Sequence, residues 1–185
     1  SGQTWQERLA LNDCEDDLLA VDFADRAHGC AVGGELANGS PRVWTTADSG
    51  ATWVQVSTPY RGWLSSVIYV SDSIIVATGR NGKVLRSADA GQNWDSVFAF
   101  QFNDASLREV DFANDSCAVA NDGSVITTHD AGLTWVLEED NPASFQGVDL
   151  LANGTGISVG ENGVSHSLDF GQTWSTPQAL LGGHV

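Results

Sequence analysis

Positive charge is what this chain has least of. Its 185 residues carry 8 Lys and Arg against 24 Asp and Glu, for a formal net charge of −16, and the single lysine is Lys83. A nucleic-acid partner is excluded, because binding phosphates requires a basic footprint. Anionic membrane surfaces are disfavoured for the same reason. A basic partner, a divalent cation or plain solubility in a salty medium all fit the acidic excess, and solubility is the simplest reading.

Long hydrophobic runs are also missing. No stretch approaches the roughly 18 apolar residues of a membrane span, although 42% hydrophobic residues suffice for a packed globule. No signal-peptide pattern opens the chain, and Ser1 falls inside a repeat, so any leader is expected to have been removed or to lie outside this sequence. The cysteines number three, Cys14, Cys30 and Cys117, and an odd count makes no full disulfide framework. Cys30 and Cys117, in HGCAV and DSCAV, read as one repeat position and therefore as small buried hydrophobes. A Cys14–Cys30 pair in an oxidising compartment is left open.

Catalytic signatures are lacking as well. His28, His129, His166 and His184 have no metal-ligand spacing. The glycines fall at hairpins rather than in a phosphate-binding loop, and no Cys or Ser stands in a nucleophile context. The cluster Asp13, Glu15, Asp16 and Asp17 lacks the Gly and terminal Glu of a calcium loop and reads as a solvated acidic linker. No catalytic residue, metal or cofactor is expected.

What the chain does contain is a repeat. TADSGATW (46–53), SADAGQNW (87–94), THDAGLTW (128–135) and SLDFGQTW (167–174) are four copies of one tract, and SGQTW (1–5) matches its second half. The tryptophans Trp5, Trp53, Trp94, Trp135 and Trp174 recur at a period near 40 residues, the mark of a repeat architecture. Each period aligns as four short segments rich in Val, Ile, Thr, Phe and Trp, bounded by Gly, Asn, Asp or Ser. None shows sustained helical periodicity with caps. Four strands per unit of this length make the blade of a β-propeller. The expected fold is therefore all-β, a single domain over 1–185 with blades at about 18–56, 63–98, 106–139 and 144–178. Residues 3–10 read as the outer strand of an incomplete blade, so the chain is expected to be a fragment or part of an assembly rather than a closed four-bladed ring. Asn-Gly and Asp-Gly dipeptides are expected in the hairpins between second and third strands.

The tract explains itself locally. Its Asp lies in the turn between third and fourth strands and is expected to accept backbone N–H groups two or three residues on. The Gly permits a backbone angle that a Cβ resists, and the Trp buries its ring beneath the hairpin. Recurrence once per blade assigns Asp48, Gly50, Trp53, Asp89, Gly91, Trp94, Asp130, Gly132, Trp135, Asp169, Gly171 and Trp174 to structure, because a catalytic acid is needed only once or twice. Asp22, Asp111 and Asp149, in the repeated Val-Asp-Phe/Leu, read as carboxylates bonded to backbone or to the neighbouring blade, with a ring of carboxylates around a central channel as the competing reading.

These tracts resemble the Asp-box, or bacterial neuraminidase repeat, in four copies that cover nearly the whole chain. Asp-boxes occur in sialidases, xyloglucan-type glycoside hydrolases, sortilin-like receptors and photosystem II assembly-factor-like propellers. The longer pattern VDFADRAHGCAVGG…RVWTTADSGATW is most similar to the last group, with Cys30 and Cys117 where that group has an aromatic residue. The resemblance implies a noncatalytic propeller outside the cytoplasm that binds a protein or peptide, as the group's members bind a photosystem subunit. A sialidase would need an arginine triad and a Tyr-Glu pair, but only Tyr60 and Tyr69 are available, and Arg42, Arg80, Arg86 and Arg108 share no repeat position. Two facing acids of a glycosidase cannot be selected among so many. The alternatives left open are a carbohydrate-active or glycan-binding propeller and a self-assembling homo-oligomeric array.

Among aromatics outside the tract, Trp44, Tyr60, Trp63, Phe98, Phe100, Phe102 and Phe145 are placed in segments joining blades. Tyr60, Arg61 and Trp63 combine the residue types enriched at binding hot spots. They are the candidate interaction patch, with inter-blade packing of Trp63 as the competing reading.

Overall fold

The computed structural model describes residues 16–35, 40–99, 106–121, 125–138, 145–161 and 163–178. Within them the chain is all-β. The first sheet comprises β1 (Asp16–Phe23), β2 (Gly29–Glu35), β3 (Pro41–Thr46) and β4 (Val54–Val56). The second comprises β5 (Leu64–Tyr69), β6 (Ile75–Gly79), β7 (Val84–Ser87) and β8 (Asp95–Phe98). The third comprises β9 (Glu109–Phe112), β10 (Ala118–Asn121), β11 (Val125–Thr128) and β12 (Val136–Glu138). The fourth comprises β13 (Phe145–Leu150), β14 (Gly156–Gly160) and β15 (Gly163–Ser167). Each is an antiparallel meander in chain order.

Side chains alternate across a strand, so each sheet has two faces. One row of each first strand, Val67, Val110 or Val148, points at the preceding sheet, and the residue after it points at the following one. Three apolar clusters fill the gaps between successive sheets. The first joins Cys30, Val32 and Val43 to Leu64, Val67, Leu85 and Trp94. The second joins Val76 and Val84 to Leu107, Val110, Ile126 and Trp135. The third joins Cys117 and Val125 to Val148, Leu150 and Trp174. The core is thus three slabs between four sheets. Among the described residues, no packing of comparable extent joins the fourth sheet back to the first.

Three expectations are corrected here. The fourth sheet has three strands, and its outer edge is only a bridge in which Val164 and Gln178 exchange backbone hydrogen bonds of 3.1 and 2.9 Å. Pro177 lacks an N–H and limits that ladder. Cys30 and Cys117 do not share a repeat position. Gly29 pairs with Phe23 and Ala118 with Phe112, so Val119 matches Cys30, while Cys117 matches His28. Equal turn lengths override the local likeness of HGCAV and DSCAV, yet both thiols are buried and free. Trp44, Phe98 and Phe145 lie within β3, β8 and β13 rather than in joining segments.

The hairpin expectation is met at Asn81 and Gly82, with φ of 61° and 60°. Residues 3–10, Cys14, His184, Phe100 and Phe102 lie outside the described residues.

Candidate functional site

The repeated corners come first, because they hold every sheet. In the first, the Thr46 hydroxyl donates to Asp48 Oδ1 at 2.9 Å and accepts from Gly50 N at 3.0 Å. Asp48 accepts from Thr52 N at 2.8 Å and from its hydroxyl at 2.7 Å. The same set recurs around Asp89, with Ser87, Gly91 and Asn93. It recurs again around Asp130 and Asp169. The carboxylate therefore bonds four residues ahead rather than two or three, and a buried hydroxyl two residues behind completes the corner. Trp94, Trp135 and Trp174 each donate their indole N–H to the carbonyl of the corner glycine, at 2.9–3.0 Å. In all four corners the residue after the Asp and the Gly that follows it are left-handed, with φ of 63° and 77° at Ser49 and Gly50, 57° and 87° at Ala90 and Gly91, 55° and 75° at Ala131 and Gly132, and 58° and 81° at Phe170 and Gly171.

Hydrogen bonding sets the charge state of these acids. The Thr52 N–H and hydroxyl, with Thr46, hold Asp48 below the ordinary 3.8. The Asn93 backbone and side chain do the same for Asp89. At Asp130 and Asp169 burial pushes upward, but the Thr134 and Thr173 hydrogen bonds outweigh it and the net shift is down. Each of these carboxylates is held in its ionised form with both oxygens accepting hydrogen bonds inside its own corner.

Asp22 and Asp111 reach across to the next sheet. Asp22 Oδ2 accepts from Tyr69 N at 2.7 Å, and Asp111 Oδ2 accepts from Leu150 N at 2.6 Å. Burial raises the Asp111 pKa, against the lowering effect of the Leu150 and Phe112 N–H groups.

The sheet end opposite the corners carries the second-to-third hairpins and the sheet-to-sheet connections. Here Tyr60, Arg61 and Trp63 lie between the first and second sheets. Tyr60 is buried, donates its hydroxyl to the Arg80 carbonyl, and has Lys83 Nζ 5.0 Å from its ring centroid. Burial lifts its phenol to about 12, partly offset by the Arg80 charge. Trp63 is half-buried, with the Arg80 guanidinium 5.2 Å over its ring. Gly34 makes room for it, since a Cβ there would come within 2.5 Å of Trp63 Cβ. Arg61 is exposed. A cavity of about 410 Å³ opens beside them, lined by Ser40, Arg42, Gln55, Thr58, Tyr60 and Arg61 among others. Arg42 and Arg61 line this cleft, while Arg80 and Lys83 lie over the rings of Trp63 and Tyr60, so four of the chain's eight basic residues contact the cleft or the aromatics of this one connection.

No protein-family model and no curated protein matches the chain. Solved structures do. YCF48 bound to a D1 peptide superposes with a TM-score of 0.67 at 22% identity, over 87% of this chain and 54% of that one. YCF48 from Cyanidioschyzon merolae gives 0.65 at 21%, over 91% and 58%. An ancestral GH74 enzyme gives 0.66 at 14%, over 86% and 24%.

The fold is that of a β-propeller.

This propeller chain spans little more than half the length of the YCF48 structures. At such identities the likeness establishes architecture, and each sheet is read as a blade.

Sequence reasoning missed two features of the propeller. One is the hydroxyl at Thr46, Ser87, Thr128 and Ser167, which was legible as the first residue of every tract. The other is a contact of Cys117 Sγ with His129 Nδ1 at 3.1 Å, with Gln172 Nε2 3.5 Å from His129 Nε2. These residues belong to three segments that only the packing of the third and fourth blades brings together. Among the described residues, no group of His, Cys, Asp and Glu is arranged to hold a metal.

Proposed function

We infer that the chain is a noncatalytic Asp-box propeller module that binds a protein or peptide segment at the cleft formed by Tyr60, Arg61 and Trp63. The observation that carries this reading is a 410 Å³ cleft lined by Arg42 and Arg61, with Arg80 and Lys83 over the neighbouring rings of Trp63 and Tyr60, in a chain whose net charge is −16. A local basic site on an acidic protein selects an acidic or carboxylate-bearing ligand and steers it there. Tyr60 and Arg42 line the cleft, Arg61 is its exposed contact, and the Trp63–Arg80 stack stands beside it. YCF48 has been solved with a D1 peptide bound, which supports a peptide as the ligand class for this architecture. An assembly-factor-like role and an extracytoplasmic location belong to the same proposal and rest on the resemblance.

The carbohydrate-active alternative has the GH74 neighbour in its favour at the level of fold. It is weakened at Trp63, because the Arg80 guanidinium occupies one face of the ring and leaves that face closed to a sugar.

Fluorescence anisotropy with an acidic and a basic peptide of equal length tests the reading. The acidic peptide is expected to bind, to weaken with added salt, and to lose about tenfold or more in affinity with Arg61→Glu, in line with the cost of disrupting a charged hot spot. Equal binding of both peptides, or indifference to Arg61→Glu, would refute it. Turnover of a glycan would establish the alternative.

A further inference from the structure

Among the described residues no sheet covers the two outer faces of the blade stack, and they are the two halves of the interface used three times inside the molecule. Val67, Val110 and Val148 occupy one position, facing the preceding blade, and are 5–7% exposed. Val21 holds that position in the first blade and is 58% exposed. Leu64 and Leu107 are fully buried, whereas the equivalent Leu18 is 37% exposed. Trp53 stacks edge-on against Phe23 at 6.1 Å, as Trp135 does against Phe112 at 6.4 Å. The Trp135 pair is roofed by the second blade, where Val76 lies against Gly132, while Trp53 is left half-exposed. Leu18, Leu19, Val21, Ala31 and Trp53 line an apolar cavity of about 400 Å³.

The far side of the stack shows the opposite half. Cys30 and Val76 are fully buried on the faces that meet a following blade. Their counterpart in the fourth blade by register, Ile157, is 52% exposed. Val159, the counterpart of the buried Val32, is 47% exposed.

A polar link points the same way. Asp22 and Asp111 each accept a backbone N–H from the next blade, from Tyr69 and Leu150. The second blade has Ile68 at that position, and there the waiting N–H of Phe112 is met by its own neighbour Asp111 at 2.9 Å. Asp149 repeats the carboxylate in the fourth blade and is exposed. The N–H that would answer it, by repeat position, is that of Phe23 in the first blade.

We propose that two copies of this chain join head to tail, the fourth blade of each covering the first blade of the other. Ile157 and Val159 then pack on Val21, Phe23 and Trp53, and Asp149 accepts from Phe23 N–H of the second copy. The contact is heterologous, and such contacts close into rings when the rotation permits. Two copies bring eight blades, within the range that propellers adopt. Monomeric proteins rarely leave contiguous apolar patches of this kind open. The internal interfaces show which chemistry fills this one: another blade of the same repeat.

Light scattering coupled to size exclusion on the 185-residue chain is expected to give twice 19.6 kDa. Val21→Asp and Ile157→Asp, both at exposed positions, are each expected to give monomers with unchanged circular dichroism. An equimolar mixture of the two variants is expected to recover a dimer, because one copy keeps an intact first blade and the other an intact fourth. A monomeric parent chain overturns the proposal. So does a mass indifferent to either variant, a mixture that stays monomeric, or a mass that grows without limit as concentration rises.

Discussion

At the residue scale, the same tryptophan has different worth in different blades. Trp135 is buried, donates to Gly132 and is stacked on Phe112 beneath a neighbouring blade. Trp135→Ala is expected to cost roughly 3–5 kcal/mol in chemical denaturation, through lost burial and the cavity left behind. Trp53→Ala removes a ring that is already half-exposed in the single chain, and is expected to cost less than half as much in a sample dilute enough to be monomeric. Equal losses at the two sites would show that blade context does not govern their contribution. The tract's recurrence made its Asp, Gly and Trp visible as one corner, because one period shows all three. It misjudged the span of the Asp hydrogen bonds, since the reach to Thr52 N depends on two consecutive left-handed residues, and Ser49 and Ala90 give no sign of that conformation in the sequence.

At the element scale, what distinguishes one sheet from another is how many of its faces are covered. The strands β6 and β7 of the second blade are packed on both sides and are buried along nearly their whole length. The strands β14 and β15 have one open face and only a single bridge at their outer edge. Amide hydrogen exchange at low protein concentration is expected to be slowest in Ile75–Gly79 and Val84–Ser87. It is expected to be fastest in Gly156–Gly160 and Gly163–Ser167, because local opening follows buried contacts. The reverse order would contradict the account of the core as slabs between sheets. The order of strands was legible from alternation and turn residues, and so was their number in the first three sheets, whereas the expected outer strand of the fourth is reduced to a bridge beside Pro177. Register was not: HGCAV and DSCAV suggested an alignment that backbone pairing shifts by two residues, because the β1–β2 and β9–β10 turns are equal in length.

At the scale of the whole molecule, acid is expected to act on all the corners together. Asp48, Asp89, Asp130 and Asp169 have native values below the ordinary 3.8. Hydrogen bonds from His28 and Ala27 likewise lower Asp25 to about 2. A group whose native value is depressed contributes stability above its unfolded value and loses it as pH falls, because the unfolded chain takes up the proton first. Asp111, raised by burial, works with the opposite sign, but it is one group against five. The thermal midpoint is therefore expected to drop as pH is lowered below the ordinary carboxylate value of 3.8. A midpoint that stays level or rises there would mean that the corner carboxylates are not bonded as described. The basic cleft was only partly visible beforehand. Tyr60, Arg61 and Trp63 stand together in the chain, whereas Arg42, Arg80 and Lys83 come from hairpins of two blades and meet them only because those blades pack side by side.

The sequence by itself determined the unit: a period near 40 residues, a meander of short strands by alternation, a tight corner around its Asp, Gly and Trp, and an excess of acid over base. Those properties are local, written within one repeat and set by side-chain period and turn chemistry. Tertiary structure decided which faces are covered, which carboxylates bridge blades, and where the scarce cations meet. Identical residues such as Val21 and Val67 differ only in whether a neighbouring sheet lies over them. That difference is a property of the packed stack, and no single repeat encodes it.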